Sequence, residues 1–273
     1  METLDGPILL VGCGKMGAAL LAGWLARGVQ PTDVLVVEPT DAGAAVAREH
    51  GVRVASDIAA VAPDVSPRVV VFAVKPQVLP AVVPPYRRFA GPATTFLSIA
   101  AGKPLAFFAE HLSARASIVR AMPNTPAAIG RGITVLCANE AVTAADRTLA
   151  QSLMTAVGAV DWIDDEALMD GVTAVSGSGP AYVFYLIECL AAAGVDAGLP
   201  PALAARLARL TVEGSAALSA ADPSSPATLR ANVASPGGTT AAALTVLMGD
   251  AGLQDVMTKA VLAAAARSRE LAE

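Results

Sequence analysis

A chain of 273 residues is long enough for two modest domains, each with its own core. A net charge of -5 and the lack of any basic run exclude the electrostatic footprint of a nucleic-acid binder. The hydrophobic share of 54% raises the question of a membrane, but the longest uncharged stretches, 171–187 and 231–249, are interrupted by Gly, Pro, Ser and Thr, so neither reads as a span. Acidic Glu2 and Asp5, with no basic region beside them, do not read as a secretion signal. Three cysteines, Cys13, Cys137 and Cys189, are widely spaced and lack a metal-ligand pattern, which points to a reducing cytoplasm and to no metal site.

The first element is an apolar run, Ile8 to Val11, breaking into Gly12-Cys13-Gly14-Lys15-Met16-Gly17 and then a helical pattern from Ala18 to Ala26. This spacing predicts strand, phosphate turn and helix. In such a turn Gly12 permits the bend, Gly14 lets backbone approach a pyrophosphate, and Gly17 lets helix pack on strand. A second strand, Val34 to Val37, ends on Glu38, where a ribose-binding carboxylate belongs. There follow a helix over Ala42–Glu49, a short strand at Val52–Val54, a helix near Asp57–Val61 and a strand at Val69–Val74 that Lys75-Pro76 ends. Strands apolar on both faces in this alternation predict a parallel sheet with helices on either side. Further strands are expected at Thr94–Ile99, Ser117–Met122, Ile133–Cys137 and Gly158–Ile163, with a helix from Thr143 and Asp146 to about Val157 before the last.

After Asp164 the strand signals vanish and Ala-rich helical segments take over. Two domains are therefore expected: residues 1–164, a dinucleotide-binding Rossmann domain of α/β class, and 165–273, an all-α domain. Helices are expected from Ser178-Gly179-Pro180 through Tyr182–Ala193 to a stop at Gly194, from Pro201 to about Ala220, briefly after the loop at 222–226, after Ser235–Thr240, and over Leu253–Leu271. Few charges occur in Tyr182–Ala193 or Ala241–Met248, so a partner subunit is expected to cover faces that a few helices cannot bury alone. Packing of those faces on the chain's own first domain is the alternative.

Three small-residue segments accompany the cofactor half: Met122–Pro126, Ser176–Pro180 and Ser235–Thr240. The last two are expected to open helices, whose bare N–H groups suit a small carboxylate, with Thr239 and Thr240 adding hydroxyls. Ordinary helix capping by these Ser and Thr residues is the other reading. General bases are scarce. His50 and His111 fall far from these segments, and the lysines are Lys15, Lys75, Lys103 and Lys259, so the helix after Ser178 has none. Oxidation of a hydroxyl requires a base to take its proton, whereas a protonated imine accepts hydride with little more than orientation and one hydrogen-bond donor.

Over almost its whole length the sequence resembles the Δ1-pyrroline-5-carboxylate reductase family, through Gly12–Gly17, Ala73-Val74-Lys75-Pro76-Gln77, Ala100-Ala101-Gly102, Met122–Pro126, Val175–Tyr182 and Asn232–Leu244. Ser235-Pro236-Gly237-Gly238-Thr239-Thr240 is the most specific of these. The resemblance implies reduction of pyrroline-5-carboxylate to L-proline, a Rossmann domain followed by a helical dimerisation domain, and a homodimer that often builds a ring of dimers, up to a decamer. It places Gly12, Cys13, Gly14, Lys15, Met16, Gly17, Ala73, Val74, Lys75, Pro76, Ala101 and Asn124 on NADPH or NADH. Ser176, Gly177, Ser178, Gly179, Pro180, Asn232, Gly237, Gly238, Thr239 and Thr240 fall on the substrate, with Thr240 near its ring nitrogen as the catalytic residue. Glu38 departs from the NADPH preference of most members, since it repels a 2′-phosphate and Pro39-Thr40 supplies no arginine; NADH is favoured unless Glu38 turns to solvent and leaves the ribose to Thr40. Two alternatives stand beside this reading. A related imine or β-hydroxyacid reductase is disfavoured because β-hydroxyacid dehydrogenases carry a lysine on the helix where this chain has none. A nucleotide-sensing scaffold without turnover is disfavoured by the intact Gly177, Gly179, Gly237 and Gly238.

Overall fold

The computed structural model describes residues 5–272. Two compact units emerge: one runs to Gly177 and regains the chain from Ala264 onward, the other is Ser178–Ala263. Composition changes at Asp164, where the strands end, but packing divides the chain later. The segment 166–177 is helical yet belongs with the sheet-bearing unit, and so does the end of the last helix.

In the first unit the elements are β1 (Ile8–Val11), α1 (Lys15–Ala26), β2 (Val34–Val37), α2 (Asp41–Glu49), β3 (Arg53–Ala55), β4 (Val69–Phe72), α3 (Leu79–Val82), β5 (Thr95–Ser98), α4 (Leu105–His111), β6 (Ser117–Met122), β7 (Gly132–Ala138), α5 (Ala144–Thr155), β8 (Gly158–Trp162) and α6 (Met169–Val172). Among the described residues they build one eight-stranded sheet in the order β3-β2-β1-β4-β5-β6-β7-β8. β1 lies between β2 and β4, with Val11 level with both Val37 and Phe72. Its alternate side chains enter opposite cores. Ile8 and Leu10 pack with Leu20, Trp24 and Leu153, while Leu9 and Val11 pack with Phe72, Phe96 and Phe108. Burial on both faces is why these strands read as unbroken apolar runs.

The expected parallel sheet holds from β3 to β6 and fails at β7, which is antiparallel to β6. A parallel return needs a crossover of a dozen or more residues. Only a short 3₁₀ turn, Thr125–Ile129, closed by Gly130 at φ +68°, joins these two strands, so the chain reverses. β8 then runs parallel to β7. The helix expected near Asp57–Val61 is a single 3₁₀ turn, Ile58–Ala60, in which Ala60 N–H donates to Asp57 Oδ1 at 2.9 Å. α5 starts as expected in a capping box: the Asp146 amide donates to Thr143 Oγ1, and the Thr143 amide to Asp146 Oδ2.

The second unit contains α7 (Gly179–Asp196), α8 (Pro201–Ala221), α9 (Pro226–Asn232), α10 (Thr239–Leu247) and most of α11 (Leu253–Ala272). α7 passes through Gly194 and stops at Asp196, with Gly198 at φ +95° turning the chain. Gly194 serves packing instead. A Cβ there would lie 3.1 Å from the Ala204 Cβ, so glycine lets α7 and α8 approach closely. No residue of α7 is buried within the chain, and Phe184, Tyr185, Leu207 and Val246 are 59%, 67%, 46% and 75% exposed.

Gly, Ser and Pro do not break the apolar stretch that begins at Gly171. Helical structure continues over 166–196, with a π-helical turn at Thr173–Gly177, and is long and apolar enough by length and composition to cross a membrane, with an 18-residue window of mean hydropathy 1.3. For 171–187 the sequence argument from interruptions therefore fails, because a π-turn carries these residues without leaving the helix; for 231–249 it holds, since α9 ends at Asn232 and α10 starts only at Thr239.

Candidate active site

The strand order reverses between β1 and β4, and ligands of such sheets bind beyond the carboxyl ends of the strands at that point. Gly12 turns the chain there at φ +94°; a Cβ on it would lie 2.8 Å from the Ala73 carbonyl oxygen and 2.8 Å from Val74 Cγ1. The exits of β1 and β4 thus touch, which places Ala73, Val74, Lys75 and Pro76 beside the glycine turn. A side chain on Gly17 would strike the Gly12 carbonyl, so α1 can pack on the turn only through glycine. Gly14 differs from both. It is exposed, and a Cβ on it would meet nothing within 4 Å. As the N-cap of α1 it has no side chain to satisfy the first-turn N–H groups, and no acidic residue follows in that turn. This bare positive helix end fits a pyrophosphate. Lys15 is exposed and Met16 half-buried on the same turn, while Ala101 lies half-buried beyond β5. Burial, followed by the charge of Glu38, pushes the Cys13 thiol up to about 11, so it stays neutral beside the start of α1.

Glu38 neither turns to solvent nor stands free. It is 8% exposed, its Oε2 accepts from the Cys13 amide at 2.7 Å, and its Oε1 accepts from the Thr40 amide at 2.8 Å and the Thr40 hydroxyl at 2.6 Å. Burial raises the carboxyl, but these bonds from Cys13 and Thr40 outweigh it and hold Glu38 below the usual range. A Cβ on Gly43 would lie 2.7 Å from Glu38 Cδ, so the first turn of α2 also closes on this carboxylate. Thr40 caps that helix, accepting from the Gly43 amide at 3.3 Å. No lysine or arginine occurs from Glu38 to Ala47 to receive a 2′-phosphate.

Ser176-Gly177 is not a loop before a helix, as the sequence suggested. Both residues lie in the π-turn that follows α6, and α7 starts at Gly179 from a Ser178 whose backbone is already helical. Ser176 Oγ donates to the Val172 carbonyl at 2.9 Å. The Ser176 carbonyl accepts from Asn124 Nδ2 at 3.2 Å, and Asn124 Oδ1 accepts from the Ile133 amide at 3.0 Å. Gly177 lies against Met122, whose Cε a Cβ at that position would hit. Met122–Pro126 thus clasps the π-turn. A signal for this stood in the sequence: the residue four after Ser176 is Pro180, which has no N–H to offer that carbonyl.

The sequence reading also passed over a second polar bridge. Buried Arg120 donates to Glu166 Oε1 at 2.8 Å, and the same oxygen accepts from the Leu105 amide at 2.9 Å, which caps α4 from 61 residues away. Nothing local in the sequence marks a partner so distant.

Ser178, Gly179 and Pro180 belong to the second unit, as do Asn232, which ends α9, and the Ser235–Thr240 segment. Gly237 is at φ +70°, and Gly238 is the N-cap of α10, with its amide donating to the Ser235 carbonyl at 3.0 Å. Thr239 and Thr240 are the first two helical residues and therefore not caps. Among the described residues their hydroxyls have no hydrogen-bond partner. No group of His, Cys, Asp and Glu suited to a metal occurs among those residues either.

Comparison with known proteins agrees with both units. The family model described as "Pyrroline-5-carboxylate reductase dimerisation" matches residues 166–271, and that described as "NADP oxidoreductase coenzyme F420-dependent" matches 7–102. The pyrroline-5-carboxylate reductase of Pseudomonas aeruginosa is 40% identical over 267 residues, covering 97% of each chain. Among solved structures, that of a pyrroline-5-carboxylate reductase from Coxiella burnetii superposes with a TM-score of 0.90 at 34% identity, covering 98% of this chain and 99% of that one. That of Plasmodium falciparum pyrroline carboxylate reductase with NADP bound gives 0.83 at 27% identity, over the whole of both chains. With likeness spanning both units and nearly every residue of its relatives, this chain belongs to the pyrroline-5-carboxylate reductase family.

Proposed function

We propose that this protein reduces 1-pyrroline-5-carboxylate to L-proline with NADH or NADPH. The observation that carries the reading is the bare start of α10, where Gly237-Gly238 precedes two threonines whose hydroxyls have no partner within the described residues. The reduced nicotinamide, when bound, supplies the hydride. The chain's own residues bind and orient. The start of α1, with Gly12, Cys13, Gly14, Lys15, Met16 and Gly17, takes the pyrophosphate, Glu38 meets the ribose, and Ala73–Pro76 and Ala101 line the rest of the cofactor crevice. Backbone N–H groups at Gly238, Thr239 and Thr240 hold the substrate carboxylate. The Thr240 hydroxyl lies at the ring nitrogen, with Ser176–Pro180 and Asn232 around the ring. The protonated C=N bond accepts hydride at carbon and becomes the ring amine, so no lysine is required on α7.

NADH is used at least as well as NADPH, because Glu38 and the absence of a base in the first turn of α2 disfavour a 2′-phosphate. The working assembly is a cytoplasmic homodimer that can build a ring of dimers, a decamer, with neither nucleic acid nor membrane as partner; light scattering reads its mass. The test of function is spectrophotometric. Purified protein should oxidise NADH and NADPH only when pyrroline-5-carboxylate is supplied, and a comparable rate with a β-hydroxyacid and oxidised cofactor would sink the assignment.

A further inference from the structure

We infer that Asn124, which the resemblance places on the cofactor, is instead a positioning residue for the substrate that acts through the π-turn, since both ends of its amide are committed to Ser176 and Ile133. This inference rests on the proposed placement of Ser176–Pro180 at the substrate. A helical carbonyl normally receives the N–H four residues on. For Ser176 that residue is Pro180, which has none, and the next amide, that of Ala181, donates to the Ser178 carbonyl at 3.0 Å. The Ser176 carbonyl would therefore lack a helical donor, and Asn124 Nδ2 supplies one at 3.2 Å. The other end of the amide is committed too, since Oδ1 accepts the Ile133 amide at the start of β7. These partners fix the orientation of the amide, because a backbone N–H can meet only its oxygen and a carbonyl only its nitrogen. Asn124 thus ties the π-turn to the sheet, and Met122 against Gly177 seats the neighbouring residue.

Asn124→Asp keeps the acceptor for Ile133 and removes the donor to Ser176. The expected result is a KM for pyrroline-5-carboxylate raised by about tenfold, with NADH affinity changed by less than about twofold. Pro180→Ala restores an N–H four residues after Ser176. In that background the same Asp substitution should raise KM by less than about threefold, because the carbonyl no longer depends on residue 124. Asn124→Ala, which introduces no charge but also removes the acceptor for the Ile133 amide, should likewise raise KM with NADH affinity nearly unchanged, and Pro180→Ala should relieve only part of its effect. Weakened NADH binding in either variant would make Asn124 a cofactor or general structural residue and overturn the inference. So would an effect of equal size in the presence and in the absence of the Pro180→Ala change. Ser178→Val leaves both bonds of Asn124 in place and probes the underlying placement. If it leaves KM unchanged, the substrate reading fails and the inference with it; if it raises KM while Asn124→Asp does not, the inference alone fails.

Discussion

At the scale of single residues, Glu38 combines two tasks that the sequence presents as one. Its place after β2 makes it the proposed ribose acid, and the structure adds that the same carboxylate braces the glycine turn through the Cys13 amide. Glu38→Gln removes the charge and sets an NH₂ group against one of the N–H donors it now accepts from. The ratio of kcat/KM for NADPH over NADH should rise by about tenfold, chiefly through weaker use of NADH. An unchanged ratio, measured with both cofactors at fixed substrate, would show that the carboxylate does not read the ribose. Thr240 belongs to the same scale. Thr240→Ala should lower efficiency with pyrroline-5-carboxylate by about tenfold to a hundredfold, the loss of one hydrogen bond to a charged group, while NADH affinity stays level. Near-normal turnover would leave the hydroxyl without a role. Glycine spacing and strand ends made these positions legible, whereas the Cys13 amide that meets Glu38 and the partners of Asn124 lie in other elements and were not.

Among elements, Asp146 shows how one carboxylate joins several. It is 4% exposed and accepts from Arg68, Thr95, Ser117 and Thr143, binding the start of α5 to β5 and β6 and to the entry of β4. Burial raises its carboxyl, but hydrogen bonds from Thr95, Thr143 and Arg68 outweigh this and bring it to about 2 from 3.8. A carboxyl depressed on folding stabilises the native state fully above its unfolded pKa and loses that contribution as pH falls through the folded one. Stability should therefore drop between about pH 4 and about pH 2, and Asp146→Asn should cost about 2 kcal/mol at neutral pH while removing this part of the acid slope. Urea titrations of both proteins at several pH values check this, and parallel curves would deny the carboxylate its role. The capping box at Thr143 and Asp146 was readable from local spacing. Arg68 and Thr95 were not, because their meeting with Asp146 depends on the order of strands in the sheet.

For the molecule as a whole, the second unit presents apolar faces that its own helices leave uncovered, and the match to a dimerisation family model supports the proposal that a second copy covers them. Phe184→Glu, at a position 59% exposed in the single chain, should shift the protein toward monomer in light scattering and lower its activity in proportion. If the cofactor half of one subunit works with the Ser235–Thr240 segment of its partner, two crippled variants should complement each other. Gly14→Trp and Thr240→Ala place one lesion in every site of their own dimers, but a mixed dimer holds one site with both lesions and one with neither. Co-refolding should then recover about a quarter of wild-type activity, since random pairing makes about half the dimers mixed. No recovery in a sample shown to contain mixed dimers would mean that each site is built within one chain.

By itself the sequence determined the Rossmann start and the change to helices near Asp164, and it singled out the segments proposed to carry the chemistry, because glycine spacing, apolar runs and proline act over a few residues and leave a local trace. It suggested a parallel sheet throughout, loops where a π-turn lies, and a helix end at Gly194. Tertiary structure decided otherwise in each case. β7 reverses because its connection is too short to cross over, Asn124 serves a carbonyl at the π-turn that Pro180 cannot, and Gly194 eases the close approach of Ala204. Each of these depends on a partner distant along the chain or on the length of a connection, and only the packed fold specifies such partners.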